Sequence, residues 1–158
     1  MGKLVVTAAV ALAVGAGLAA AKPEQRAQAR TLTVVIKNRD YRVVDLAPAG
    51  ESIGDLRVGN AELWNRRETR RIGSFHILCA LTQRGEQAQL TTCDFTFRLS
   101  GGEITTQGVN RRASISAPAA ADVEPIVGGT GRYAGARGTA QLRPSQADKR
   151  TVVLRLLR

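Results

Sequence analysis

The chain has 158 residues, 44% of them hydrophobic, and a formal net charge of +10, with one histidine and two cysteines. One histidine and two cysteines cannot furnish a four-ligand zinc site, and no G-x-S-x-G elbow is present to carry a hydrolase nucleophile. The basic balance admits acidic partners, but the arginines are spread over many segments. Their densest run, Asn65-Arg66-Arg67-Glu68-Thr69-Arg70-Arg71, reads as a solvated loop. Nucleic acid is not expected as a partner. Weak contact with anionic envelope polymers is.

Lys3 is followed by an apolar run from Leu4 to Ala21 and then by Ala27-Gln28-Ala29. A basic start, an apolar stretch and A-x-A describe a secretory signal peptide. Cleavage after Ala29 is expected, with Ala19-Ala20-Ala21 as an earlier alternative. The segment 1–29 carries three basic residues and one acidic residue, so the exported chain 30–158 holds +8. That length suits one domain with its own core.

Strand signals then follow one another and helical periods are absent. Thr31 to Ile36 and Tyr41 to Leu46 read as one long or broken strand. Ser52 to Trp64, Phe75 to Thr82, Leu90 to Leu99 and Glu103 to Gly108 come next, then Val123 to Val127, Gly138 to Leu142 and Thr151 to Leu157. Asn110 to Ala121 is the one long irregular link and is expected on the surface. Short strands at regular spacing with turn signals between them predict an all-β sandwich or barrel.

Two of these segments flank Arg84-Gly85-Glu86-Gln87. A hairpin centred on Glu86 sets Cys79 directly opposite Cys93, where Cβ atoms lie about 4.5–5.5 Å apart. An oxidising compartment then favours a disulfide. The 15-residue loop from Cys79 to Cys93 gives a crosslink of about 3 kcal/mol. In this register His76 opposes Thr96, and Arg98 opposes Ser74. Alternation separates an apolar face (Phe75, Ile77, Cys79, Leu81, Cys93, Phe95, Phe97, Leu99) from one bearing His76, Asp94, Thr96 and Arg98. If the polar face lines the interior, His76, Asp94 and Arg98 form an acid–base group within a small cavity; if the apolar face does, they are surface residues. The pattern leaves both open.

Near the C-terminus, Gly128 to Gly138 holds five glycines, and Gly129-Thr130-Gly131-Arg132-Tyr133-Ala134 fits G-x-G-x-x-A. That fingerprint needs a following helix. Gly135 and Gly138 would interrupt its first turns, each costing roughly 1 kcal/mol. A glycine-rich turn between two strands is the stronger reading.

The segments Ser52-Ile53-Gly54-Asp55-Leu56, Arg71-Ile72-Gly73 leading to Cys79, Gly102 to Gly108, and Ile126 to Gly138 together resemble the allene oxide cyclases, dirigent proteins and their secreted bacterial relatives. The resemblance implies an eight-stranded antiparallel β-barrel of calycin type, just wide enough for side chains or one small ligand. It also implies a homodimer or homotrimer and a small hydrophobic molecule whose cyclisation or coupling the barrel steers, with no cofactor and no metal. At the cyclases' catalytic glutamate this chain has Val35, near their asparagine Lys37, and near their pocket tyrosine Asn110; their pocket cysteine matches Cys79. The resemblance therefore implies the barrel and not the cyclases' own reaction. The remaining catalytic candidates are Asp55, His76 and Asp94, and the ligand-binding candidates are Tyr133, Arg98 and Arg57. A non-catalytic exported module binding a ligand or envelope polymer is the alternative.

Overall fold

Period-two alternation along the chain builds eight antiparallel strands in the computed structural model, which describes residues 30–46, 48–118, 120–146 and 148–157. The expected signal peptide, 1–29, lies outside the described residues. The strands are β1 (Arg30–Val44), β2 (Leu56–Asn65), β3 (Arg71–Gln83), β4 (Gln89–Leu99), β5 (Gly102–Arg112), β6 (Asp122–Gly129), β7 (Arg137–Leu142) and β8 (Arg150–Leu157). Each pairs with its sequence neighbours, and β8 pairs with β1 to close a barrel. Closure leaves no free edge strand, although the β5–β6 seam is paired along only part of its length. The expected all-β barrel is the observed one.

The β3–β4 hairpin has the expected register, with Cys79 opposite Cys93, His76 opposite Thr96 and Ser74 opposite Arg98. Cys79 and Cys93 form a disulfide with their Cα atoms 4.0 Å apart. The apolar face is the interior one. Phe75, Ile77, Cys79, Leu81, Cys93, Phe95 and Phe97 are all buried, and Phe75 packs on Phe95 and Phe97 at 5.3 and 5.1 Å between ring centroids. Val34, Ile36, Leu63, Ile104, Ile126, Leu142, Val152 and Leu154 complete the core.

Two irregularities shape one end of the barrel. The expected break in the first strand is a bulge, its register shifting between Lys37 and Asp40, with Asn38 at a φ of 51°. An extra residue reverses the alternation, so Val34 and Ile36 point inward before it and Arg39 and Tyr41 after it. The β5–β6 ladder runs only from Ile104 opposite Gly129 to Thr106 opposite Ile126. Beyond it, side chains join the strands: Asn110 Nδ2 donates to Asp122 Oδ2 (2.7 Å) and Glu124 Oε1 (2.8 Å), and Thr106 Oγ1 donates to Glu124 Oε2 (2.6 Å).

The 110–121 link corrects one expectation. β5 continues through Arg112, and the shorter segment that follows carries Ile115, only 1% exposed. This segment does not simply lie on the surface. It closes the barrel mouth, because Ile115 has apolar area to bury and Glu51 Oε1 accepts its N–H at 3.2 Å. The expected strand from Ser52 also starts later, at Leu56, with Ser52 to Asp55 forming a turn.

Candidate site at the barrel mouth

Where the apolar interior meets the mouth, Ile36, Phe75, Ile77 and Phe95 form the floor of a cavity. Arg39, Tyr41, Arg57, Arg112, Ser145 and Arg150 form its rim. The bulge delivers Arg39 and Tyr41. Arg57, Arg112 and Arg150 stand at the mouth ends of β2, β5 and β8. The space among them is about 20 Å³, room for about one water. Gly59, opposite Tyr41 in the ladder, leaves space for its ring; a Cβ there would come 2.9 Å from Tyr41 Cδ1.

The electrostatics of the rim follow from burial among like charges. Desolvation pushes the Tyr41 phenol up to about 12, against the opposing pull of Arg39, Arg57, Arg150 and Arg112. It is a neutral donor at physiological pH. Burial brings Arg112 down to about 10, helped by Arg57 and Arg150, and Arg150 to about 10, helped by Arg39. Arg57 is lowered by the same desolvation. All three nonetheless carry charge at neutral pH. Burial raises Glu124, against the hydrogen bonds from Thr106 and Asn110. The guanidinium groups bond to backbone: Arg57 Nη1 to Ile115 and Ala117 carbonyls (3.4 and 3.2 Å), Arg112 Nη1 to the Ala117 carbonyl (3.1 Å), and Arg150 to the Arg143 and Ala120 carbonyls (both 2.7 Å).

Of the residues singled out from the sequence, Arg57 lines this cavity. Tyr133 is buried at the other end, in the 3-10 turn Gly131–Tyr133 between β6 and β7, where it borders a groove of about 260 Å³ with Arg30, Arg132 and Leu156. The glycine run is thus a turn, not a strand-to-helix cradle. Gly131, at a φ of 57°, sits so close to the Gly101 carbonyl that any side chain would collide.

His76, Asp94 and Arg98 belong to the outer face, so they form no acid–base group inside the barrel. His76 is exposed and its Nε2 lies 3.1 Å from Ser74 Oγ, Asp94 accepts from Gln107 Nε2 at 2.8 Å, and Arg98 pairs with Glu103 at 2.8 Å. Asp55 buckles the loop between β1 and β2. Its carboxylate accepts the Leu46 and Ser52 N–H groups at 2.9 and 2.8 Å and the Ser52 hydroxyl at 3.1 Å. The backbone bonds from Ser52 and Leu46 hold its pKa below the usual value. Asp55 does not line the cavity.

Sequence reasoning passed over Tyr41, Arg112, Arg150 and Glu124. Arg112 was legible only by counting parity along its strand, where Ile104, Thr106, Gly108, Asn110 and Arg112 form one inward row, whereas Tyr41 is turned inward by the bulge, which parity does not foresee.

A small amphipathic cavity in the mouth of an eight-stranded barrel defines the class. The family described as allene oxide cyclase barrel like domain matches residues 32–155, and the chain belongs to that family. Among solved structures it is similar to a pyocyanin demethylase (TM-score 0.68, 23% identity, covering 80% of this chain and 99% of that one). It is also similar to the Diels–Alderase AbmU from Streptomyces koyangensis (TM-score 0.63, 16% identity, 85% and 71% covered) and to a pterocarpan synthase dirigent protein (TM-score 0.60, 18% identity, 84% and 95% covered). No curated protein matches the chain.

Proposed function

We propose that this protein is an exported barrel that binds a small, largely hydrophobic molecule at its mouth and steers the cyclisation or coupling of that molecule. The observation that carries this reading is the cavity itself. An apolar floor of Ile36, Phe75, Ile77 and Phe95 faces a rim holding a neutral phenol and several guanidinium groups. Such a site can desolvate an apolar body and orient its polar end, and orientation alone is worth several kcal/mol in a unimolecular closure. In this reading Tyr41 is the proton donor at the reacting end, and Arg57, stacked on its ring, fixes the phenol. No step requires a metal or redox cofactor. The leader-like segment 1–29 and the Cys79–Cys93 disulfide support export. Exposed Leu78, Val109, Val123 and Val127 on the outer wall support association between copies.

The close packing of the interior favours a second reading, a non-catalytic module that holds a ligand or an anionic envelope polymer. Thermal-shift screening of the disulfide-bonded protein against small aromatic and isoprenoid compounds, at low and high salt, separates the two. The first reading expects salt-insensitive stabilisation by at least one apolar compound, and chromatography then reads its conversion. Stabilisation only by polyanions, abolished by salt, would sink it.

A further inference from the structure

The rim arginines have a feature that packing does not require. Among the described residues no carboxylate lies within ion-pair distance of Arg57, Arg112 or Arg150, although Arg112 and Arg150 are only 4% and 7% exposed. Burying a guanidinium without a counter-charge is costly. Loop carbonyls answer that cost only in part, because Arg112 Nε has no hydrogen-bond partner among the described residues. Asp122 and Glu124 favour the charged form of Arg150, and Glu124 that of Arg112, but only from beyond ion-pair distance, and their oxygens accept instead from Asn110 and Thr106. The rim therefore presents converging donors, a surplus of positive charge and an unanswered N–H, immediately above four apolar side chains.

Building on the reading of this cavity as the ligand site, we propose that the molecule bound there is an organic carboxylate, with its two oxygens against Arg112 and flanked by Arg57 and Arg150, and its apolar body on Phe75 and Phe95. A planar carboxylate matches the guanidinium fork with two parallel bonds and brings the opposite charge, neither of which a single neutral carbonyl supplies. Room for only about one water remains at present. The incoming head group accordingly takes the places on Arg57 and Arg112 now held by the Ile115 and Ala117 carbonyls, and the 113–118 segment lifts from the mouth. Charge thus selects the ligand, and the same contact opens the way in.

The test compares 1-naphthoate with its neutral counterpart 1-naphthamide, and with inorganic phosphate, by calorimetric titration of the disulfide-bonded protein. Naphthoate is expected to bind roughly tenfold or more tightly than naphthamide. That preference should vanish in Arg112→Met, shrink in Arg112→Lys, and persist in Arg66→Met, which changes an exposed arginine in the β2–β3 turn; near-UV circular dichroism confirms that each variant is folded. Equal binding of the two naphthalenes would overturn the carboxylate assignment and leave the cavity reading standing. A preference that survives Arg112→Met but not Arg66→Met would overturn it in favour of surface attraction. Phosphate binding without naphthoate binding would overturn it too, and failure of all three probes would sink both the assignment and the cavity reading.

Discussion

The Arg57 guanidinium carbon lies 5.0 Å from the centroid of the Tyr41 ring, so a cation stacks on the one phenol that reaches the cavity. Replacing Tyr41 by Phe keeps the ring and the stacking and removes only the hydroxyl. The phenol's folded value of about 12 lies above its ordinary 10.0, so between those values the folded chain holds a proton that the unfolded chain has lost. Stability from this group is complete below pH about 10 and is lost as pH rises through about 12. Chemical denaturation across that window should show a steeper alkaline loss for the wild type than for Tyr41→Phe. At neutral pH the two should be nearly equal in stability, while conversion of any identified ligand drops in the variant.

The Cys79–Cys93 crosslink closes a loop of 15 residues, both cysteines included, and neither sulfur-bearing side chain is more than 1% exposed. Cys79→Ala/Cys93→Ala is expected to lose about 3 kcal/mol through the freer unfolded chain, read from urea midpoints. Burial adds a kinetic expectation. Reductant should leave the folded protein crosslinked and act only as urea unfolds it, so reduction followed by mass should track unfolding.

How much of this was written in the sequence depends on whether a side chain's role is set by local alternation or by distant partners. The β3–β4 register was legible from Ser74 to Leu81, because alternation and a turn centred on Glu86 fix it without help from the rest of the chain; the shift between Leu81 and Gln83 and the start of β3 at Arg71 were not. Which face turns inward was not legible there, since both faces alternate equally well. Only the closed sheet, with Phe75 and Phe95 meeting Ile36 from β1, settles it. The rim was missed for a related reason. Arg112 and Arg150 stand at strand ends where a basic residue reads as the start of a loop, and Tyr41 is turned inward by a bulge that polar Asn38 and Arg39 disguise as a break. Asp55 was visible, but its bonds to Leu46 and Ser52 give it a place in the loop instead of the cavity.

Glu124 is pressed against Gly108, where a Cβ would come 2.8 Å from Glu124 Cγ. Gly108→Ala should therefore push the carboxylate off Thr106 and Asn110. Truncation by Glu124→Ala strands the buried Thr106 hydroxyl, at about 1–3 kcal/mol, and leaves Asn110 Nδ2 with Asp122 alone. Glu124→Gln, which still offers an acceptor, should cost less than either. Equal losses in Gln and Ala variants would show that the negative charge, not the hydrogen bonding, holds the β5–β6 wall. Urea denaturation of the three variants checks the order.

Phe95 fills the floor of the cavity and packs on Phe75 at 5.3 Å. Phe95→Ala is expected to cost about 3–5 kcal/mol, the usual penalty for emptying an aromatic site in a close-packed core. It should also create a dry apolar space continuous with the mouth. Such spaces take up small aromatic molecules, so benzene or naphthalene should raise the melting temperature of Phe95→Ala and leave the wild type unchanged. If the variant instead collapses around the void, neither compound will stabilise it, and the floor of the barrel is then compliant instead of rigid. A compliant floor would weaken the case for steering, because a wall that yields to its ligand cannot dictate which ring closes.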